Sequence, residues 1–427
     1  MDISSLSKYT KTISQYFGAS LIPMLLSLAS NPLIALNMSP EDYAITGYYT
    51  SFNSLMSPLI VFYMLHYYNK RYFEVTDIER DNLRATLAKS LIFFSGIISF
   101  LCLLGLYLYT FNFNENSTIP FSPYALLVVF SIPTTGIYSL MLTDLRMSRK
   151  SGMYLKVSVA AGVLLVILNI VFVVFLKLGA LGKLLAPLVC NVIFFFIALL
   201  YYKGILKYPF DKNQFKEMLI FCAPLTVAAT LSFFSNGYDR VFLERIGNNI
   251  ELGYYSVGVS MAAYIGVFQS AIGNTFQPDV FQSVVERDKK RLLKVSILLI
   301  GSTAFFVLLF IIAAPLIVRV LTAGKYMLSV KYTQIIALST LTSSMYYMVS
   351  QITIALGKSV VTLLTKIFTT ILSILLFSLL ITKYEYVGAA WGMVLSFIIS
   401  LIINLLLLCF SRIKSSGYVI KNIGNKE

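Results

Sequence analysis

Charge and histidine are scarce in this chain. Only 12% of its 427 residues are charged, and His66 is the single histidine. A soluble domain carries about 25% charged residues, so this chain cannot clothe a soluble surface. No Cys/His spacing suits a metal. The four cysteines (Cys102, Cys190, Cys222 and Cys409) all fall inside apolar runs and read as small hydrophobes. There is no Walker motif, no GxGxxG after a strand, no HExxH and no GxSxG. These absences argue against ATP hydrolysis by this chain, and uphill work would draw on a gradient or on another machine. A cleavable signal is absent too. The first apolar run, Phe17 to Leu36, has no small-residue cleavage site and is long enough to span.

What is present is apolar. Hydrophobic residues make up 58% of the chain, which reads as a polytopic, all-α membrane protein. Windows of about 20 residues predict twelve spans, at roughly 13–36, 44–68, 89–111, 122–145, 154–176, 180–202, 216–239, 253–277, 292–320, 332–355, 360–382 and 387–411. No large soluble domain remains between them. The net charge of +15 could suggest nucleic acid, but its placement gives it another meaning. With the N-terminus in the cytoplasm, 26 of the 34 Lys and Arg residues fall on inner segments and 8 on outer ones. That split follows the positive-inside rule. It predicts cytoplasmic termini, contact with anionic lipid and no nucleic-acid partner.

An internal repeat organises the spans. Pro23 lies in an apolar helix, Ser30-Asn31 follows, and Gly47-Tyr48-Tyr49-Thr50 opens the next helix. The same plan returns with Pro224, Ser235-Asn236 and Gly253-Tyr254-Tyr255-Ser256, about 206 residues later. Two mixed-charge stretches, 69–89 and 279–294, follow the second span of each half and read as short amphipathic surface helices. Leu178-Gly179-Ala180 and Val387-Gly388-Ala389-Ala390 open the last span of each half, where small residues allow close helix approach. Two six-helix lobes are therefore expected, 1–202 and 215–427, joined by a cytoplasmic linker at 203–214. Duplicated halves are a recurring plan in secondary transporters.

Polar groups at membrane depth tend to face a cavity or a partner helix. Asp239 and Arg240, with Asn236 one turn earlier, either line a cavity or mark the outer interface, and the residues alone leave both open. Asn31, Asn53, Gln269, Asn274 and Gln277 could line a polar cleft or bond neighbouring helices. Pro23, Pro32, Pro224 and Pro278 are expected to break or bend their helices. Arg146, Lys156, Lys183 and Lys366 lie near span ends and either snorkel or help make a cavity attractive to an anion. Near the spans the acids are few, chiefly Asp144, Asp239 and Glu244. A phosphate or an acidic sugar suits this balance better than an organic cation. Tyrosine pairs at span ends, Tyr346-Tyr347 among them, read as interfacial belts, a few of which could stack on sugar rings.

The run Gly237-Tyr238-Asp239-Arg240-Val241-Phe242-Leu243, followed by Glu251-Leu252-Gly253-Tyr254-Tyr255-Ser256-Val257-Gly258, resembles the seventh–eighth helix junction of bacterial polysaccharide flippases. These belong to the multidrug/oligosaccharidyl-lipid/polysaccharide exporter superfamily. The small-residue openings at 178–180 and 387–390 match the same family. The resemblance implies a MATE-like fold with two lobes rocking about a central polar cavity in the bacterial inner membrane. It implies transport of an undecaprenyl-diphosphate-linked oligosaccharide, no enzyme activity and no cofactor, with coupling to a proton or sodium gradient. Asp239 and Arg240 carry over as the family's polar pair. Expected partners are the lipid-linked substrate, membrane lipid and polysaccharide polymerase or ligase proteins, with the protein itself a monomer. A cation antiporter of the same fold is the runner-up, weakened by the lack of an embedded acid in the first span. A membrane polymerase or ligase is a third class, disfavoured because the longest outer loop, about 112–121, is short.

Overall fold

Helices begin where the sequence supplies a cap. The Ser39 hydroxyl accepts the Asp42 N–H at 3.1 Å, the Asp42 carboxylate accepts the Ser39 N–H at 2.8 Å, and Pro40 takes the first helical position. Thr76 and Glu79 make a related pair, with the Thr76 N–H donating to Glu79 Oε2 at 2.9 Å. Asn248 and Asp288 accept the N–H groups of Glu251 and Arg291. The computed structural model describes the backbone of residues 3–72, 74–113, 117–356 and 358–423, and their side chains except at 3–13, 113, 274, 278, 359 and 411–423.

The helices run α1 (Ile3–Leu36), α2 (Pro40–Val61), α3 (Met64–Arg71), α4 (Asp77–Phe113), α5 (Tyr124–Met147), α6 (Ser151–Asn169), α7 (Gly179–Tyr201), α8 (Lys212–Leu231), α9 (Phe233–Asn236), α10 (Tyr238–Glu244), α11 (Asn249–Val285), α12 (Lys289–Leu321), α13 (Val330–Ala355) and α14 (Ser359–Ile423). No strand occurs among the described residues. Nine helices among them are long and apolar enough to cross a membrane. The ninth, Val360–Phe410, is two helices: Glu385 leaves the helical region (φ 48°, ψ −126°), and a side chain at Gly392 would strike Phe377 while one at Gly388 would strike the Leu380 carbonyl. Such nested contacts mean that the chain folds back on itself there. The windows at 44–68 and 332–355 are helical but fall outside these nine.

Two expectations are corrected. The charged stretches 69–89 and 279–294 do not form separate surface helices. Residues 77–89 are the first turns of α4, and 279–285 and 289–294 belong to α11 and α12. The Thr76–Glu79 and Asp288 caps start those helices before the apolar segment, so one hydrogen-bond ladder carries both parts. Of the two effects expected of the prolines, a break does not occur at Pro23, Pro32 or Pro224, since α1 runs through the first two and α8 through the third. The breaks come elsewhere. Phe62 and Tyr63, both at φ 51°, part α2 from α3, and Ser232 and Gly237 interrupt the run from α8 to α10. Pro278 lies outside the described side chains.

By contacts the chain groups into two units, Met1–Thr230 with Val320–Lys325, and Leu231–Arg319 with Tyr326–Glu427. Residues 215–230, expected to open the second lobe, group with the first unit. The reason is local. Met218 and Cys222 are buried in one apolar cluster with Tyr68, Leu87, Leu140 and Tyr202. The expected linker is tied to the same body, because Lys89 Nζ donates to the Tyr208 carbonyl at 2.6 Å and the Asp211 N–H to Thr86 Oγ1 at 3.2 Å. Within the first unit α1 packs on α6, α2 on α5 and α5 on α7; within the second, α11 packs on α13, α13 on α14, and α9 and α10 on α14. On α4, Phe93, Ile97, Phe100, Leu104, Leu108 and Phe111 are exposed at helical spacing while Leu83, Leu87 and Leu91 are buried. The exposed stripe is suited to lipid.

Two polar ties fasten the first unit. Asp42, besides capping α2, accepts the Ala180 N–H at 2.8 Å through its other oxygen, joining the starts of α2 and α7. Gly179 makes room for this. It sits at φ 54°, and a Cβ there would strike the Asp42 carboxylate. The second tie is Asp144, whose carboxylate receives Arg84 through Nε at 3.0 Å and a terminal nitrogen at 2.6 Å, and the Tyr68 hydroxyl at 2.5 Å. The Asp144 side chain is 3% exposed and that of Arg84 16%, so removing one partner strands a charge. Arg84→Leu is expected to destabilise the protein by about 3–5 kcal/mol, with much of that recovered in the Arg84→Leu/Asp144→Leu double variant. Thermal melting in detergent measures both. Asp42→Ala and Gly179→Ala are each expected to cost about 1–3 kcal/mol. Their double variant should melt close to Asp42→Ala alone, because both break the same tie.

Candidate functional site

Helix α13 carries a run of hydroxyls, and their spacing decides where they point. Ser339, Ser343, Tyr346, Tyr347 and Ser350 recur at intervals of three or four and so share one face. An apolar setting tolerates these hydroxyls because they bond back to their own helix. Ser339 Oγ donates to the Ile336 carbonyl at 2.6 Å and Ser343 Oγ to that of Thr340 at 3.0 Å. Opposite stands Gln269 of α11, whose Nε2 donates to Ser343 Oγ at 2.8 Å. Asn236 at the end of α9 and Phe397 of α14 complete the walls of a cavity of about 410 Å3 within the second unit. A second cavity of about 310 Å3 adjoins it, shares Gln269 and Tyr347, and is lined also by Ser344, Ser270, Gly273 and Leu299.

Among the described residues no carboxylate and no cation lines either cavity. One cation stands beside the larger one. Lys366 of α14 holds its ammonium 5.1 Å from the centroid of the Tyr346 ring. It makes no ion pair among the described residues. The arrangement offers amides, hydroxyls and aromatic faces to a polar guest, with a single positive charge one ring away. Among the described residues no cluster of His, Cys, Asp and Glu could hold a metal.

The structure gathers some of the residues expected from the sequence and separates others. Asn236 and Gln269 meet in the cavity, and Lys366 reaches it through Tyr346. Asp239 does not line it. Asp239 is fully buried, and its Oδ2 accepts the Tyr255 hydroxyl at 2.6 Å. The Tyr255 ring in turn packs edge-on against Tyr332, with centroids 5.4 Å apart. Arg240 follows on the same short helix and is half-buried. In the first unit, Asn31 donates to the Leu321 carbonyl at 3.3 Å, and Asn53 and Lys183 are half-buried on α2 and α7. Arg146 is exposed in the last turn of α5, where its carbonyl accepts the Tyr16 hydroxyl at 3.3 Å. The Asn274 side chain lies outside the described residues. The hydroxyls of α13 were missed. The signal was present in Ser339-Thr340-Leu341-Thr342-Ser343-Ser344, a cluster too polar for a lipid-facing helix.

An all-helical chain with this many apolar helices and a polar cavity among them has the build of a membrane transporter. Residues 78–331, more than half of the sequence, match the family described as polysaccharide biosynthesis protein, and the chain belongs to that family. Among solved structures it is similar to an inward-facing multidrug resistance MATE family transporter of the MOP superfamily. The identity is 14% and the TM-score 0.68, over 94% of this chain and 99% of that one. It is also similar to the lipid II flippase MurJ in an inward closed conformation, at 17% identity and TM-score 0.64, over 93% of this chain and 87% of that one. A MOP superfamily transporter from Pyrococcus furiosus, described as having a binding pocket of reverse polarity, matches at 14% identity and TM-score 0.56, over 95% of this chain and 96% of that one. At such identities the likeness establishes the MATE-like fold. No curated protein matches the sequence.

The Asp239–Tyr255 bond joins α10 to α11 where both side chains are fully buried. Tyr255→Phe is expected to lower stability by about 1–3 kcal/mol, read as an earlier melting transition in detergent, with the protein still inserted in the membrane.

Proposed function

We propose that this protein moves a polyprenyl-diphosphate-linked oligosaccharide from the inner to the outer leaflet of the bacterial cytoplasmic membrane by alternating access. The two sequence repeats, 1–202 and 215–427, serve as the two transport lobes, with residues 215–230 of the second repeat held to the first by the cluster around Met218 and Cys222; the twelve helical windows serve as spans, and both termini lie in the cytoplasm. Membership of a polysaccharide biosynthesis family supports the glycan. The similarity to a lipid II flippase supports a lipid-linked one. The observation that carries the reading is the cavity of the second unit. It is lined by hydroxyls, amides and aromatic rings, has no carboxylate among the described residues of its walls, and has the ammonium of Lys366 beside it. An organic cation would look there for an acid and find none, which sets the cation antiporter second despite the likeness to multidrug transporters. A proton or sodium gradient is a sufficient source of energy, since one charge crossing 100 mV is worth about 2.3 kcal/mol. The protein acts as a monomer, in contact with membrane lipid and with the polymerase or ligase that uses the exported glycan.

Deleting the gene is expected to trap lipid-linked repeat units in the inner leaflet and to remove the surface polysaccharide. Unchanged polysaccharide would end the proposal. In the same strain Lys366→Ala is expected to restore less than about a tenth of the wild-type polysaccharide, consistent with loss of a charge-assisted contact. Lys366→Arg, which keeps the charge, should restore most of it. Immunoblots of the membrane fraction check that all forms are present in equal amount.

A further inference from the structure

The two adjoining cavities of the second unit are neutral, and that is a statement about their guest. A diphosphate placed in them would meet no cation among the described lining residues, because the ammonium of Lys366 stands outside the walls, over the Tyr346 ring. A cation would meet no carboxylate among the described lining residues either. What the walls do offer is matched to a ring of hydroxyls with apolar C–H faces. The Gln269 amide is oriented by the bond from its Nε2 to Ser343 Oγ at 2.8 Å, which turns its carbonyl oxygen into a fixed acceptor. Tyr347 lines both cavities, so one ring can serve guests in either. Ser344 provides an independent sign of a missing partner. It is 2% exposed, it lines the smaller cavity, and its hydroxyl has no hydrogen-bond partner among the described residues. Buried hydroxyls are nearly always bonded, to protein or to something held in the site. Volumes of about 410 and 310 Å3 lie within the range of small-molecule sites, about 300–1,000 Å3.

We propose that these cavities are a sugar-reading subsite, in which Gln269, Ser343, Ser344 and Tyr347 select the uncharged sugar residues next to the lipid diphosphate. The assignment rests on the flippase reading and adds to it. The second unit recognises neutral or N-acetylated hexoses by hydroxyl and amide bonds and by stacking, while the diphosphate is held elsewhere. Acidic sugars are rejected here, because a carboxylate would be desolvated among hydroxyls without a cation.

The test uses the full-length protein in lipid nanodiscs and three probes. These are a bare polyprenyl diphosphate, the same lipid bearing one N-acetylglucosamine, and the same lipid bearing one glucuronic acid. Binding is read by native mass spectrometry and by the shift in melting temperature. The wild type is expected to bind the N-acetylglucosamine lipid about tenfold more tightly than the bare lipid, roughly 1.4 kcal/mol, and the glucuronic acid lipid no better than the bare one. Gln269→Leu, the Ser343→Ala/Ser344→Ala pair and Tyr347→Ala should each bring the first ratio to about one. Their affinity for the bare lipid should change less than about twofold, which also shows that they fold. Tyr347→Phe, which keeps the ring, should retain the preference. A wild type that binds all three lipids equally overturns the subsite and leaves the flippase reading standing. Variants that lose the bare lipid as well place the diphosphate in these cavities and overturn it too. Tighter binding of the glucuronic acid lipid overturns the neutral assignment. A wild type that binds none of the three overturns both this assignment and the flippase reading.

Discussion

Inside a bilayer no water is at hand to complete a hydrogen bond, so every polar group has to find its partner in the protein or in what the protein carries. That constraint accounts for the way this chain uses its few polar side chains. Serines and threonines inside helices bond back to carbonyls three or four residues earlier, as Ser339, Ser90 and Thr303 do. A hydroxyl spent in that way keeps its lone pairs and can still accept. The polar face of α13 can therefore exist in an apolar setting and remain receptive, which is the property a transport site needs. Charges obey the same rule at greater cost. Asp144 is buried because Arg84 and Tyr68 meet it together.

The repeat treats equivalent places with different chemistry. The starts of the second and sixth helices of the first half are joined by Asp42, through the Ala180 N–H. In the second half the corresponding junction is made by the Tyr386 hydroxyl donating to the Asn248 carbonyl at 2.8 Å. Tyr49 and Tyr255, matched by the repeat, are both buried. Tyr49 donates to the Pro120 carbonyl at 2.7 Å, whereas Tyr255 donates to Asp239. The matched tyrosines are thus both buried while their hydroxyls are fastened to different partners.

How much of this was legible in the sequence depended on which surface a residue faces. Spans whose outer face meets lipid, such as α4 and α12, are continuous apolar runs and were located within a few residues at their apolar ends. Helix α13 turns its hydroxyls inward, so its mean hydropathy falls although its structure is as helical as the rest. The break at Phe62 and Tyr63 was not legible, because neither residue favours a left-handed backbone and tertiary packing imposes it. Proline did not mark the breaks: it removes one hydrogen bond, and α1 and α8 continue through it. The candidate site was legible in part. Asn236, Gln269 and Lys366 announced themselves as polar groups at depth. Tyr346 and Tyr347 looked like an interfacial belt, and only folding brings their rings to the cavity wall. Asp144 was visible as an acid, but Arg84 lies 60 residues away in sequence and no local pattern connects them.

The Asp239–Arg240 pair shows how a motif can mark a fold without marking the chemistry. It supported the family resemblance, and the residues alone left open whether the pair lines a cavity or marks the outer interface. In the structure Asp239 has no exposed surface, and one of its oxygens is taken by Tyr255. A carboxylate in that position organises a helix junction. With it withdrawn from the walls, the cavity is left to neutral dipoles and to one lysine held against a tyrosine ring. An unpaired ammonium in such a setting is costly, and a lipid-linked anion is the kind of guest that would relieve it. The lack of acids among the described lining residues and the abundance of hydroxyls on α13 therefore describe one surface, a neutral polar wall with a lysine behind it.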